Sequence, residues 1–337
     1  MSASETIPAD SGTPEAGAIE TMHAESFEDF ELHSLLERGV REAGFTRPWP
    51  IQALTIPAAL EGADVLGLAQ TGTGKTAAFA LPLLDQLLDE DAPGPRALVL
   101  APTRELATQI DAEIRVLAKF TKLKTTLVFG GSSMHAQKAA LRRRPEVIVA
   151  CPGRLLDLMG QGAVRLDSVE TLVLDEADHM FDMGFLPDIR RILAALPRDR
   201  QNLLFSATMP KEIRRLADEI LSEPHVVELA KSAPAETIAH VLHPVPEARK
   251  KDLLRHLLDA DDCTTAIVFT RTKVRAKRLA LQLARTGRSA VALQGDMSQN
   301  ARDRAMNDFR KNRVEILVAT DIAARGIDVA GVSHVIN

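Results

Sequence analysis

The glycine-rich segment AQTGTGKT at residues 69–76 contains the residues best suited to bind phosphate. It stands after the apolar run DVLGL (64–68) and before a helical pattern, which predicts a strand, a tight loop and a helix start. Backbone N–H groups of such a loop can surround phosphates where the helix dipole favours anions. Lys75 would then reach the β- and γ-phosphates, and Thr76 would ligate Mg²⁺. Because Ala69 stands where the usual pattern has glycine, a glycine-rich turn without a nucleotide is the alternative.

An acidic quartet, Asp175-Glu176-Ala177-Asp178, directly follows the apolar run TLVL. In open α/β sheets, the carboxyl ends of strands lie at the edge where ligands bind, so the quartet and the glycine-rich loop are expected at one edge. Asp175 can hold Mg²⁺ directly or through water, and Glu176 can orient or deprotonate an attacking water. For the quartet alone, a solvated helix start is the alternative, which its position behind a buried strand disfavours.

A parallel sheet is the element that would bring both segments together. Continuous apolar runs that alternate with helical patterns are typical of such a sheet covered by helices on both faces. The first set of runs is DVLGL (64–68), ALVLA (97–101), TTLVF (125–129), EVIVA (146–150), TLVLD (171–175) and NLLFS (202–206). A second α/β domain is predicted from TAIVFT (265–270), SAVAL (289–293), EILVA (315–319) and VSHVI (332–336).

Composition divides the chain into four parts. Residues 1–25 hold five acidic side chains and no Lys or Arg, and they are predicted to form a disordered acidic tail. Residues 26–229 form the first domain, the proline-containing residues 230–246 a linker, and residues 247–337 the second domain. Residues 26–239 carry 24 basic and 30 acidic side chains, whereas residues 240–337 carry 17 and 11, so the two domains differ in sign of charge.

Composition also limits the classes of protein. A chain of 337 residues, 45% hydrophobic and 26% charged, is long enough for two cores. Its two cysteines, Cys151 and Cys263, form no CxxC pair, which disfavours a zinc site. The sequence has no run of 18 apolar residues and no signal-peptide start, so we expect a cytoplasmic protein without a membrane segment.

A series of ordered motifs resembles the DEAD-box RNA helicases, from Phe27 to Asn337. The first-domain motifs are Phe27, GFTRPWPIQ (44–52), AQTGTGKT (69–76), PTREL (102–106), Gly130-Gly131, CPGR (151–154), the acidic quartet (175–178) and SAT (206–208). The second-domain motifs are VFTRT (268–272), QGD (294–296) with Gln299 and Arg302, and ATDIAARGIDV (319–329). Within the family the chain is most similar to bacterial members of the RhlE type. The resemblance implies two RecA-like domains of the P-loop NTPase type.

The resemblance implies an ATP site on the first domain. Gln52 would read the adenine edge, because an amide can bond its donor and acceptor together, although a helix cap after Pro50 is the alternative. The implied nucleotide-binding residues are Phe27, Phe45, Arg47, Gln52, Ala69, Gln70, Thr71, Gly72, Thr73, Gly74, Lys75, Thr76 and, at the ribose, Asp328. The implied catalytic residues are Lys75, Thr76, Asp175 and Glu176, with Thr76 and Asp175 as the Mg²⁺ ligands.

The resemblance also implies that RNA crosses both domains. The implied contacts are Pro102, Thr103, Arg104, Gly130, Gly131, Pro152, Gly153, Arg154, Thr270, Arg271, Gly295, Thr320 and Asp321. Hydroxyl, guanidinium and glycine N–H groups address phosphate and sugar, so sequence specificity should be low. Cys151 stands where the family usually has Thr, so we expect one hydroxyl contact to RNA to be missing. A small buried thiol is the structural interpretation of Cys151.

Three polar residues are implied to couple the ATP state to closure of the two domains: Asp178, Ser206 and Thr208. For Ser206 and Thr208 alone, helix caps before Pro210 are the alternative. His179, next to the acidic quartet, is interpreted as a packing residue.

The chain ends at VSHVIN, whereas the family normally continues to a motif of the form HRIGRTGR. The arginines of that motif complete the ATP site from the second domain, as an arginine finger does. We therefore expect this sequence to be a fragment of a longer helicase with an incomplete second domain, and expect this polypeptide to hydrolyse ATP poorly.

The sequence thus predicts an ATP-dependent RNA helicase that separates or remodels short duplexes, with ATP and Mg²⁺ as cofactors. A monomer is expected, with RNA and, by family resemblance, ribosomal or mRNA decay assemblies as partners. A non-catalytic clamp that binds ATP and RNA without turnover is the alternative. A DNA helicase is a further rival, which 2′-OH contacts would distinguish.

Overall fold

The computed structural model describes residues 24–70, 72–89, 92–229, 238–320, 329 and 331–337. The predicted tail, residues 1–25, lies outside the described residues except for its last two. Thr71, Asp321 and Asp328, to which the resemblance gives nucleotide or RNA contacts, also lie outside them. In this described part of the chain, no helix has the length and apolar character needed to cross a membrane.

Seven parallel strands form the sheet of the first domain, in the order β3-β4-β2-β5-β6-β1-β7. They are β1 (Val65–Leu68), β2 (Ala97–Leu100), β3 (Thr125–Val128), β4 (Val147–Ala150), β5 (Thr171–Leu174), β6 (Gln201–Ser206) and β7 (His225–Glu228). The six strands predicted from apolar runs are confirmed. The seventh, β7, was missed because it is an edge strand with only Val227 buried, so its residues form no continuous apolar run.

Nine helices and one 3-10 turn are described in the first domain. The turn is Phe27–Phe30, and the helices are α1 (Ser34–Glu42), α2 (Pro50–Leu60), α3 (Lys75–Asp89), α4 (Arg104–Leu117), α5 (Met134–Leu141), α6 (Pro152–Gly160), α7 (Ala177–Asp182), α8 (Leu186–Leu193) and α9 (Lys211–Ile220). Helices α1–α4 pack on one face of the sheet and α5–α9 on the other. The sheet is therefore covered on both faces, as its apolar strands require.

The second domain contains four described strands in the order β11-β8-β10-β9, all parallel. They are β8 (Ala266–Phe269), β9 (Ala290–Leu293), β10 (Ile316–Ala319) and β11 (His334–Ile336). Helices α10 (Lys250–Leu258) and α11 (Lys273–Arg285) cover one face, and α12 (Gln299–Arg310) covers the other. The predicted class, two parallel-sheet RecA-like α/β domains, is confirmed.

Strand order determines which loops meet. In the first domain β6 lies between β5 and β1, and all three strands run in the same direction. The glycine-rich loop, the acidic quartet and the SAT segment therefore leave the sheet from three adjacent strands at one edge. A backbone hydrogen bond of 3.1 Å from Ala69 N–H to the Ser206 carbonyl oxygen fixes the loop to β6.

Candidate active site

Gln52, which is 1% exposed, forms hydrogen bonds that hold the glycine-rich loop in place. Its Oε1 accepts from the Trp49 N–H at 2.8 Å, and its Nε2 donates to the Gly74 carbonyl oxygen at 3.0 Å. Gly74 has φ +86°, and a Cβ there would lie 2.6 Å from Gln52 Nε2. Gln52 thus links the start of α2 to the loop, the arrangement that the capping alternative describes, and the adenine contact stays a prediction.

Lys75 and Asp175 form a buried ion pair between the loop and the end of β5. Lys75 Nζ lies 3.7 Å from Asp175 Oδ1 and donates a hydrogen bond of 3.1 Å to the Ala69 carbonyl oxygen. The two side chains are 6% and 3% exposed. Burial raises the pKa of Asp175 to about 6, while the charge of Lys75 acts in the opposite direction. The structure therefore brings together Lys75, which was predicted to bind phosphate, and Asp175, which was predicted to bind Mg²⁺.

Glu176 has a backbone conformation that few glutamates adopt. It is the N-cap of α7 and lies in the left-handed region with φ 51° and ψ 54°. Such a conformation costs about 1–3 kcal/mol for a residue with a Cβ. Its N–H donates to Asp175 Oδ1 at 2.9 Å, and its carboxylate contacts His179 Nδ1 at 2.9 Å. His179, interpreted from the sequence as a packing residue, therefore touches the predicted base.

The three predicted coupling residues form one hydrogen-bonded network. Asp178 Oδ2 accepts from the Thr208 N–H at 2.9 Å and from the Thr208 hydroxyl at 2.7 Å. The Ser206 hydroxyl donates to the Thr208 carbonyl oxygen at 2.7 Å and accepts from the Asp178 N–H at 3.2 Å. Because α9 begins at Lys211 with Pro210 as its N-cap, Ser206 and Thr208 do not cap it, and that alternative is wrong.

Glu113, which had no predicted role, also lies at this site. Burial raises the pKa of Glu113, as does the charge of Asp175, whereas hydrogen bonds from the Thr76 side chain and the Ala77 N–H lower it. The available signal was its position on α4, directly beside the buried stripe of Ile110 and Ile114. The packing of α3 against α4 is what places Glu113 near Thr76.

The predicted aromatic residues of the nucleotide site also pack together. The Phe27 ring is buried, and its centroid lies 5.5 Å from that of Phe45 in an edge-to-face arrangement. Arg47 is exposed two residues further on. Phe27 thus supports Phe45 from within the core, whereas Phe45 and Arg47 remain accessible from outside.

The predicted RNA residues of the first domain lie at the ends of three neighbouring strands. Arg104 lies against the glycine pair, since a Cβ on Gly131 (φ +82°) would lie 2.2 Å from its guanidinium. Arg154 donates to the Ser132 carbonyl oxygen at 3.2 Å, next to the same pair. Thr103 caps α4 by accepting from the Leu106 N–H at 3.2 Å. Pro102 lies in the turn between β2 and α4, and Pro152 and Gly153 are the first two residues of α6.

Cys151 precedes Pro152 as the N-cap of α6, and its side chain makes no capping hydrogen bond. Burial raises the pKa of its thiol to about 12. The interpretation of Cys151 as a small buried thiol is confirmed.

In the second domain, the described RNA candidates follow three adjacent strands. Thr270 N–H donates to the Ala319 carbonyl oxygen at 2.8 Å, and Thr320 N–H to the Leu293 carbonyl oxygen at 3.3 Å. Arg271 is exposed after β8, and Gly295 follows β9 beside Lys273. These positions share one edge of the second sheet, as the corresponding positions do in the first domain.

A largely buried ion pair connects the two domains. Arg302 on α12 donates from Nε to Glu105 Oε1 at 2.7 Å, and the two side chains are 10% and 13% exposed. Glu105 is adjacent to Arg104 at the start of α4. The sequence placed both residues in motifs but assigned neither of them a role.

The side chains around the loop suit a nucleotide with a divalent cation. The Thr76 hydroxyl and the Asp175 carboxylate are oxygen donors, which Mg²⁺ prefers. Asp175 is buried with a raised pKa, so a cation beside it would favour its charged form. Lys75 lies across the mouth of a loop whose backbone N–H groups precede a helix, which is the arrangement that binds phosphates.

Two family models match the chain. The DEAD/DEAH box helicase model covers residues 49–216, and the Helicase conserved C-terminal domain model covers residues 249–337. The chain is 44% identical to the DEAD-box ATP-dependent RNA helicase CshA of Bacillus subtilis over 93% of its own length. It spans 63% of the length of that relative.

The fold is also similar to solved structures of one yeast protein in two complexes. S. cerevisiae Dbp5 bound to RNA and ADP BeF3 aligns with a TM-score of 0.84 at 35% identity, over 93% of this chain and 80% of that one. A point variant of Dbp5 bound to a point variant of Gle1 and to IP6 aligns with a TM-score of 0.73 at 35% identity, over 94% and 79%.

Proposed function

Because this chain belongs to the DEAD-box helicase family, we propose that it is an ATP-dependent RNA helicase that separates short RNA duplexes by coupling ATP hydrolysis to domain closure. The observation that carries the proposal is the buried pair of Lys75 and Asp175, 3.7 Å apart at the mouth of the glycine-rich loop. Glu176 follows Asp175 directly. A phosphate ligand, a cation ligand and a base are thus assembled at one edge of the sheet.

Each of these residues has a distinct role in the proposed hydrolysis. Lys75 binds the β- and γ-phosphates of ATP, and the loop N–H groups bind the remaining phosphate oxygens. Glu176 orients the water that attacks the γ-phosphorus and accepts its proton. Gln52, already bonded to the Gly74 carbonyl oxygen, positions the loop and selects adenine. Phe45 and Arg47 lie beside the base.

Thr76 and Asp175 would hold Mg²⁺, which supplies charge neutralisation on the phosphates when it is bound. Glu113 lies close enough to Thr76 for the Thr76 side chain to lower its pKa, so it would help to orient this ligand. The two donors lie on different elements, at the start of α3 and the end of β5, so the site depends on the loop being held in place.

RNA binding is proposed for the edges at which Arg104, Arg154, Thr270 and Arg271 lie. The similarity of this fold to Dbp5 bound to RNA and ADP BeF3, with a TM-score of 0.84, supports this proposal. The ion pair between Arg302 and Glu105 would hold the arrangement of the two domains. Since the contacting groups address backbone phosphate and sugar, we expect RNA to be bound with little sequence preference.

The test is RNA-stimulated phosphate release and strand separation by the chain, measured with wild type and Glu176→Gln. The variant keeps the size of the side chain but cannot accept the proton, so turnover should be abolished while ATP binding remains. Undiminished turnover by Glu176→Gln would refute the assignment of the base. Binding of ATP and RNA by wild type without any turnover would instead indicate a non-catalytic clamp. Equal activity on DNA and RNA duplexes would indicate a DNA helicase.

Three expectations about the biological setting stay predictions. They are a monomeric state, a cytoplasmic location, and partners in ribosomal or mRNA decay assemblies. Sedimentation of the purified chain checks the first, and localisation and affinity capture in cells check the other two.

A further inference from the structure

His179 lies against the proposed base in a geometry that packing alone does not explain. Its Nδ1 is 2.9 Å from Glu176 Oε2, and the two side chains are 11% and 7% exposed. The residues are three apart across the start of α7, where a helical side chain leans back toward the N-terminus and meets residue i−3. A contact of this length between largely buried polar groups is a hydrogen bond.

Glu176 needs a partner to fix its carboxylate. Its backbone is held by the hydrogen bond from its N–H to Asp175 Oδ1, but the side chain has several rotatable bonds beyond that point. Among the residues that the structure describes, His179 is the only hydrogen-bond partner of the Glu176 carboxylate. The orientation of the proposed base therefore depends on the imidazole.

His179 is itself connected to the coupling network. The backbone N–H of His179 donates to Asp178 Oδ1 at 3.1 Å. Asp178 Oδ2 accepts both hydrogen bonds from Thr208. A continuous series of contacts thus runs from Glu176 through His179 and Asp178 to Thr208. These contacts link the SAT segment to the residue that holds the proposed base.

The other ring nitrogen argues against a purely packing role. His179 Nε2 is buried and has no hydrogen-bond partner within the described part of the chain. An unpaired buried nitrogen costs free energy, which a leucine of similar size would avoid. The benefit of a histidine at this position must therefore come from Nδ1 and its contact with Glu176.

We infer that His179 is a positioning residue for hydrolysis: it donates its Nδ1–H to Glu176 and holds that carboxylate in its productive orientation. The inference rests on the proposed function of Glu176 as the base. It implies that His179 is protonated at Nδ1, whereas the alternative packing role leaves the ring free to carry its proton on Nε2.

The tautomer is measured directly, by long-range ¹H–¹⁵N correlation spectra of the chain with ¹⁵N-labelled histidine, and His179 is identified by the signal lost in His179→Asn. His33 is an internal reference, because its Nδ1 accepts from the Leu35 N–H at 3.2 Å and so must carry its proton on Nε2. A proton on Nδ1 of His179 is expected. A bare Nδ1 with Nε2–H would overturn the proposal.

The kinetic arm compares His179→Leu with His179→Asn in RNA-stimulated ATPase assays. Leucine fills the space without a donor, whereas the asparagine amide places an N–H near the position of Nδ1. We expect His179→Leu to lower kcat about tenfold, equivalent to about 1.4 kcal/mol in the barrier, with KM for ATP unchanged. His179→Asn should recover most of kcat, and His256→Leu, at an exposed histidine on α10, should match wild type.

A wild-type kcat in His179→Leu would refute the inference, as would an equal loss in His179→Asn. So would a rise in KM without a fall in kcat, since that pattern indicates damage to nucleotide binding. Absence of hydrolysis by wild type would instead favour the clamp over the proposed helicase, and the tautomer of His179 would then decide the contact by itself.

Discussion

Arg302 on α12 donates a hydrogen bond of 2.7 Å to Glu105 on α4, and this pair joins the second domain to the first. Only 10% and 13% of the two side chains are exposed, so the pair is largely removed from water. Removing one partner of such a pair takes the opposite charge away from a largely buried group, which is destabilising for the contact. The domain arrangement should therefore depend on both residues together.

A charge exchange tests this dependence. Arg302→Glu and Glu105→Arg should each weaken RNA-dependent closure at least tenfold, because each variant sets two like charges against each other. The double variant should recover part of the loss, since the opposite charges are restored in reversed positions. Closure is measured by energy transfer between fluorophores on the two domains at increasing RNA concentration.

Arg304→Glu is the matched control for this exchange, because Arg304 is exposed two residues further along α12. The Arg304→Glu variant should show the same RNA-dependent domain closure as wild type. Losses in the double variant that equal the sum of the two single losses would contradict a direct pairing of Arg302 with Glu105. Unchanged thermal melting of each variant would show that the domains themselves stay folded.

Gly131 is expected to determine where Arg104 lies. A Cβ at residue 131 would lie 2.2 Å from the Arg104 guanidinium, so Gly131→Ala should displace that group. RNA affinity should fall roughly tenfold for every sequence tested, because a phosphate contact carries no base preference. Fluorescence anisotropy with several labelled single-stranded RNAs measures this.

Gly162→Ala separates this displacement from backbone strain. Gly162 also has positive φ, +64°, but a Cβ there meets nothing within 4 Å. Both variants therefore carry the cost of a left-handed alanine, and only Gly131→Ala touches Arg104. Equal RNA affinity of the two variants would indicate that Arg104 takes no part in binding.

The parallel sheets could be predicted from the sequence because buried strands are continuous apolar runs that need no tertiary information. Every predicted run became a strand, whereas β7 carries exposed residues and was missed. The glycine-rich loop and the acidic quartet were likewise predictable, since parallel strands bring their carboxyl ends to one edge. Local patterns of this kind determine the elements and the edge at which they meet.

Contacts between distant elements could not be predicted in the same way. Arg302 and Glu105 lie 197 residues apart, and their pairing depends on how two separately packed domains meet. Glu113 is on the flank of an ordinary amphipathic helix, and only the packing of α3 against α4 brings it to Thr76. The contact of His179 with Glu176 depends on the left-handed backbone of Glu176, which no residue preference predicts.

Cys151 offers a stabilising substitution. It has the extended backbone of an N-cap, with φ −91° and ψ 137°, but makes no capping hydrogen bond to α6. Cys151→Ser places a hydroxyl oxygen where it can accept from a free N–H of the first turn, which stabilises a helix by about 1 kcal/mol. Urea unfolding should show this gain, and melting should rise by about 2–4 °C.

Cys263→Ser is the control for this substitution, because Cys263 lies between α10 and β8 and caps no helix. Its effect on stability should be small. A destabilised Cys151→Ser variant would mean that burial of the hydroxyl costs more than the capping bond contributes.

The buried carboxyl of Asp175 makes stability depend on pH. Its pKa is raised from 3.8 to about 6, chiefly by burial. A raised pKa means that this group contributes stability below pH 3.8, and that the contribution is lost as pH rises through 6. The free energy of unfolding of Asp175→Asn minus that of wild type should therefore increase between pH 4 and 7, by on the order of 2 kcal/mol. A difference that stays flat over this range would contradict the raised pKa.

The same carboxyl should make nucleotide binding depend on pH in the opposite sense. As the proposed Mg²⁺ ligand, Asp175 would bind the cation in its ionised form, so a proton would compete with the cation below about pH 6. Affinity for ATP with Mg²⁺ should fall by up to about tenfold per pH unit there, because one proton is taken up as the cation leaves. Subtracting the profile of Asp175→Asn removes the titration of the nucleotide's own phosphates. If the remaining slope of ATP affinity against pH requires Mg²⁺, Asp175 is identified as a ligand of the cation. If the slope is equally steep without Mg²⁺, the pH dependence comes from the contact of Asp175 with Lys75 instead.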